Sequence, residues 1–306
     1  MPIVKVADLA FARLQSPDLD LAEKFLTDFG LVRVERTPKA LYMRGTGATH
    51  HIHVTHLGEP RFIGLAFHAQ SEEDLQRLAN APGADGVEHL DEPGGGKRVR
   101  LTDTHGYQME VVHGLQEHRE LPIRRVTRAA GELLRIAQGA SQVKRLGHAV
   151  LMTPGAKEKI KWYRDMFGFL PSDEVYAGAR ENIIASFNRC DRGERHVDHH
   201  TFLCLEGAKV GLNHLAFEVQ NFDDLMLGHQ HLKGAGYRHA WGVGRHVLGS
   251  QVFDYWADPW GRMHEHWWDT DLLTSAHPAN LLSAEEGLVS QWGEAVPETF
   301  IGHASP

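Results

Sequence analysis

Apolar positions along this chain switch between strand-type and helix-type spacing, and the switch recurs four times. VADLAFARLQ (6–15) reads as a strand, Ser16-Pro17 follows, and LDLAEKFLTDFG (19–30) then places apolar residues at helical intervals. LGHAVLMT (146–153), Pro154 and EKIKWYRDMFGF (158–169) repeat the arrangement. A proline loses nothing in a helix's first turn, where its missing N–H would be unpaired anyway, so both prolines predict helix entries. The two other units are IGLAFHAQ (63–70) with Ser71 as cap before EEDLQRLA, and LNHLAFEVQ (212–220) with Asn221 as cap before FDDLMLGHQHL.

The parallel reaches the unit ends. LTDTHGYQMEVV (101–112) and WADPWGRMHEHW (256–267) share the register D-x-x-G-x-x-x-E. The pattern predicts an α+β protein of two domains, each a pair of βαβββ modules forming a curled, barrel-like mixed sheet around a cavity. Residues 1–125 form the first domain and 144–270 the second. Residues 126–143 read as a linker, with RRVTRAAGELLRIAQ (124–138) partly helical. Residues 271–306 read as a C-terminal extension with turn signals and anchors such as Trp292.

At 306 residues and 42% apolar, the chain is long enough for two ordinary cores. No run of about 18 apolar residues exists, so no spanning helix is expected. The start, MPIVKVADLAFARLQ, lacks the features of a secretory signal, and a cytoplasmic location is the expectation. A formal charge of −8 argues against a nucleic-acid partner, which normally calls for a basic face. Cys190 and Cys204 have no metal-type spacing and read as free thiols in a reducing compartment. With 22 histidines, most must be bystanders, and their number says nothing about metal.

Position is more informative than number. Glu265 lies among tryptophans in HEHWWD, where an uncompensated carboxylate would be costly to bury. A metal ion is one of the few partners that makes such a placement reasonable. His148 and His214 occupy matching places in units three and four, and pseudo-symmetry would bring their strands together. Two imidazoles and one carboxylate, with other positions open, is the ligand set of non-heme Fe(II) oxygenases. Strand alternation puts Glu265 on one face and His264 and His266 on the other, toward the outside and a subunit contact. In the first domain Phe11 stands where His148 does and Gly64 where His214 does. Of the three ligand positions only the acid persists, as Glu110, so that domain is expected to be metal-free.

The strings LGHAVLMTP, DHHTFLCLEG, LNHLAFEV and GVGRHVLGSQVFDYWADPWGRMHEHWWD resemble the type I extradiol ring-cleavage dioxygenases of the vicinal oxygen chelate superfamily. The resemblance runs from about residue 145 to 269 and is weaker before it. It implies metal ligation by His148, His214 and Glu265, with Fe(II) bound, or Mn(II) in the same ligand set. Alternation allows only one of His199 and His200 to face the cavity, and the resemblance assigns the second-sphere acid–base role to His200. By the same resemblance His246 and Tyr255 hydrogen-bond the diol or the oxygenated intermediate, while Arg245 is either structural or meets an anionic substituent. Ser250, Gln251 and Asp258-Pro259 read as turn chemistry without a catalytic role. The implied activity is ring opening of a catechol-type diol by O2, in aromatic-compound catabolism, by a homo-oligomer. The rivals are another metal enzyme of the superfamily (hydroquinone cleavage, isomerisation, epoxide opening) and a non-catalytic ligand-binding protein.

Overall fold

The computed structural model describes residues 1–124, 131 and 135–306. The expected helix within 124–138 falls largely outside them. Two mixed sheets, of eight and ten strands, organise the rest. In the first, strands Asp8–Ser16 and Arg61–His68 run antiparallel side by side at the centre. Each is flanked in parallel by the last strand of its own unit, His53–Leu57 or Gln108–His113. The second sheet repeats this with Arg145–Thr153 and Gly211–Glu218 at the centre, flanked by Phe202–Glu206 and Met263–Trp268. The four βαβββ units are therefore present in the expected pairs.

The helices cover the sheets, and their caps follow local chemistry. Asn221 caps Phe222–Gly234 by accepting from the Asp224 N–H, and Ser71 occupies the cap position of Glu72–Leu78, both as expected. The two prolines sit differently from the prediction. Helix Leu19–Phe29 is capped by Asp18, and helix Ala156–Phe167 starts after Gly155, so Pro17 and Pro154 precede the caps rather than opening the first turns.

The C-terminal extension does more than anchor. Strand Asn280–Ser283 pairs with one edge of the second sheet, at Leu170–Tyr176, and Ser290–Trp292 pairs with the other, at Arg238–His246. Only helix Ala284–Gly287 and two further residues join them, so this segment straps the sheet's two edges together. Trp292 contributes backbone pairing while its side chain is exposed, and Phe300 is the buried anchor instead.

A single apolar core joins the two halves, including Phe25 and Phe29 from one and Phe217 and Trp256 from the other. His264 and His266 point away from the cavity, as alternation required, but the face they occupy is buried against the first half rather than against another subunit. The His266 ring stacks on Phe29 at 3.8 Å and its Nε2 donates to the Phe29 carbonyl at 2.6 Å. His264 packs among Phe25, Phe29 and Phe217. Cys190 and Cys204 are buried free thiols. Among the described residues no helix is long and apolar enough to cross a membrane.

Candidate active site

Three neighbouring strands carry the site. His148 lies opposite Ala216, and Ala216 opposite Glu265, so the imidazole and the carboxylate point from two strands toward the same face. His214 joins them because the register slips between Leu212 and His214, leaving Asn213 as the extra residue. Such a bulge re-aims side chains. The result is a tight convergence: Nε2 of His148 and of His214 each lie 3.2 Å from Glu265 Oε2, and 3.4 Å from one another.

The donor set fits a metal ion. Both Glu265 oxygens are buried, and neither has a hydrogen-bond partner among the described residues. A buried carboxylate left so is normally intolerable. Burial alone would raise its pKa; positive charge or N–H groups on the His148 and His214 side would outweigh this and hold it well below the usual carboxylate range, and a metal cation there would do the same with both imidazoles neutral. A second grouping makes the contrast. Asp254, with His229 and His239, accepts from both rings and from the Trp256 indole, so its carboxylate is fully partnered.

Outer contacts orient the three. His214 Nδ1–H donates to Asn213 Oδ1 at 2.7 Å, which leaves Nε2 as the ligand atom. The His200 ring lies 4.2 Å from that of His148, and Tyr255 OH is 3.0 Å from His246 Nε2. All of these except Glu265 line one cavity of about 230 Å³. Burial keeps His200 and His246 neutral, the latter with its pKa pushed down to about 4, and it raises the Tyr255 phenol, helped by the nearby Glu265 carboxylate.

His199 faces away from the cavity, into a buried contact: its Nε2–H donates to Asp173 Oδ2 at 2.6 Å. Its Nδ1 is thereby an acceptor, 3.1 Å from His200 Nδ1. Arg245 does not line the cavity, and its guanidinium donates to Asp269 at 2.9 Å. Gln251, read from sequence as turn chemistry, instead lines the cavity, and among the described residues its buried Nε2 has no partner. Asn213 and Trp241 were also missed. The polar residue beside His214 was the available signal for Asn213, but a bulge cannot be read from alternation.

The first half has the same ladder with different contents. Phe11 lies opposite Ala66, and Ala66 opposite Glu110. A side chain at Gly64 would put its Cβ 1.6 Å from the Gln108 carbonyl oxygen. Arg13, opposite Gly64, donates through Nε to Glu110 at 2.5 Å and through Nη1 to Glu92 at 2.8 Å. A guanidinium thus neutralises the acid that persists. A second feature is shared by the two halves beside the acid. The His50–His51 rings stand 5.2 Å apart at 86°, and the His199–His200 rings 5.3 Å apart at 87°.

Comparisons with known proteins agree with this architecture. A family model for the Glyoxalase/Bleomycin resistance protein/Dioxygenase superfamily matches residues 145–265. Metapyrocatechase 2 of Cupriavidus necator is 32% identical over 94% of this chain and 89% of its own length. The manganese-dependent 2,3-dihydroxybiphenyl 1,2-dioxygenase of Geobacillus genomosp. 3 is 23% identical over 83% of this chain and 82% of its own. Homoprotocatechuate 2,3-dioxygenase of Brevibacterium fuscum superposes with a TM-score of 0.84 at 19% identity, covering 99% of this chain and 94% of that one. The Mn(II)-bound glyoxalase of Novosphingobium aromaticivorans gives 0.79 at 24%, covering 99% and 96%. The chain belongs to this superfamily and, within it, to the extradiol ring-cleavage dioxygenases.

Proposed function

We propose that this protein opens the ring of a catechol-type diol with O2, next to the two hydroxyls, at a divalent metal held by His148, His214 and Glu265. The observation that carries the proposal is the buried, unpartnered Glu265 carboxylate facing two imidazoles at one end of an apolar cavity. Iron(II) is the proposed occupant, because two histidines and one carboxylate form its oxygenase ligand set. When bound, it supplies Lewis acidity and open positions for the diol and for oxygen. Among the described residues the cluster has only these three members, whereas a glyoxalase-type site needs a fourth protein ligand.

The chain's own residues do the remaining work. Tyr255 and His246 form a hydrogen-bonding pair facing the diol's oxygens. The apolar walls exclude water, which strengthens each of these contacts. His200 is neutral, and its Nδ1–H donates to His199, so Nε2 presents a lone pair to the cavity. That atom can take a proton from the diol and return it to a developing oxyanion. The first half carries no metal in this proposal, since Arg13 pairs with Glu110 and the Gln108 backbone leaves no room for a side chain at Gly64. Two buried free thiols suit the reducing cytoplasm, and a homo-oligomer completes the proposal.

The test is anaerobic Fe(II) loading, metal analysis, and a screen of catechols for the absorbance of a ring-opened product. The wild-type protein is expected to hold one metal per chain and form product, and Glu265→Gln to lose both. Full activity in a metal-depleted sample, or a Glu265→Gln protein that keeps metal and turnover, would sink it.

A further inference from the structure

Apart from His148, His200, His214, His246 and Tyr255, the polar lining of the cavity is Glu206, Asn213 and Gln251. Its walls are side chains such as Val150, Met152, Ile184 and Leu205, and no Lys or Arg lines it among the described residues. The one acid at its edge, Glu206, accepts from the backbone N–H groups of Gly155 and Ala156. The rest of the enclosure comes from the C-terminal extension, through Leu288, Val296, Phe300 and Ile301.

This roof is tied to the site at several points. The Trp241 indole, which lies parallel to the Tyr255 ring, donates to the Glu294 carbonyl at 2.9 Å. Asn213 Nδ2 donates to the His303 carbonyl at 2.8 Å while Oδ1 holds His214. Phe300 meets the edge of the Tyr255 ring at 4.6 Å. A substituent on the diol ring must therefore lie between apolar walls and an apolar roof that cannot freely move away.

We infer that the C-terminal extension is the specificity element of this protein. Leu288, Val296 and Ile301 receive an uncharged alkyl or aryl substituent and turn carboxylated catechols away. The inference rests on the ring-opening proposal and narrows its substrate class. An apolar substituent gains from leaving water. A carboxylate would lose its hydration and meet no cation in return.

The experiment compares 4-methylcatechol and phenylcatechol with 3,4-dihydroxybenzoate, using Fe(II)-loaded protein. Two quantities are read: kcat/KM, and affinity by anaerobic titration. The neutral diols are expected to be preferred on the order of 10²-fold in both, the scale of a buried charge left unpaired. Ile301 is 57% exposed, so Ile301→Arg needs no repacking. It should move the ratio toward 3,4-dihydroxybenzoate by roughly tenfold or more at unchanged metal content. Leu288→Arg, also at the rim, is the second variant. The inference is overturned if the wild type handles both classes within a few-fold, or if neither arginine variant moves the ratio. Cleavage of both classes alike leaves the ring-opening proposal standing, whereas cleavage of none removes that proposal and this one with it.

Discussion

The base proposed here, His200, needs one free ring nitrogen, and two residues outside the cavity bear on which one that is. Asp173 accepts from His199 Nε2 at 2.6 Å and from Asn280 Nδ2 at 2.8 Å. Burial would raise its pKa, but these two donors hold it below the usual range. A charged Asp173 fixes the His199 tautomer, and His199 fixes that of His200. His199 is thus more than the bystander its outward direction suggested. Asp173→Asn can offer an N–H where a carboxylate oxygen stood, and so reverse the chain. Turnover of the ring-opening reaction should fall on the order of 10–100-fold, as for other outer partners of site histidines. Metal content and anaerobic diol affinity should hold. An unchanged kcat in Asp173→Asn would break the argument. That His200 rather than His199 lines the cavity was legible, because alternation left one of two positions and family likeness chose between them. The Asp173 contact was not, since it joins residues 26 apart in sequence.

Helix Ala156–Phe167 shows how an element is set by groups far from its own sequence pattern. Its apolar stripe buries Ile160, Tyr163 and Phe167, as the helical spacing predicted. The same face buries Lys159, which no periodicity rule would place there. Its Nζ meets Asp103 of the first half at 2.5 Å and His105 at 2.6 Å, and Tyr163 OH donates to Asp103 at 2.8 Å. Asp103→Ala strands a buried ammonium between the halves. The expected cost is about 3–5 kcal/mol, read as a lower denaturant midpoint. Lys159→Met with Asp103→Leu should recover much of it, since apolar replacements of a buried pair are often tolerated. A single and a double variant of equal stability would refute the ion-pair account. The elements themselves were legible from spacing and caps. The misplaced prolines mark the limit, because a residue before proline is driven to extended backbone and helix starts slip by one or two positions.

At the scale of the whole molecule, the buried imidazoles of the first half predict an acid-sensitive fold. Burial pushes the His51 pKa down to about 3, with smaller effects from His50 and Arg13, and holds His53 well below its ordinary value. Unfolding releases both to protonate near pH 6.5. Below that value the unfolded chain binds more protons than the folded one, so stability is complete above about pH 6.5 and falls as pH drops toward 3. Urea midpoints should decline through this window, and less steeply in His53→Phe. Midpoints that stay flat from about pH 6.5 to 4.5 would contradict it. The twofold repeat and the element order were legible in the sequence. The shared core was not, because the faces that meet look like ordinary solvent-shy surfaces until they are docked. Gly64 finally sets a direction on descent. A barrel that had merely lost two imidazoles could regain them by single steps. Here the backbone at Gly64 has closed onto Gln108, and Arg13 has become the counter-charge of Glu110. Restoring either imidazole alone would meet a steric wall or leave a buried guanidinium beside it. A histidine at either position would need Gln108 or Arg13 to change with it, so single substitutions cannot make the two halves equivalent.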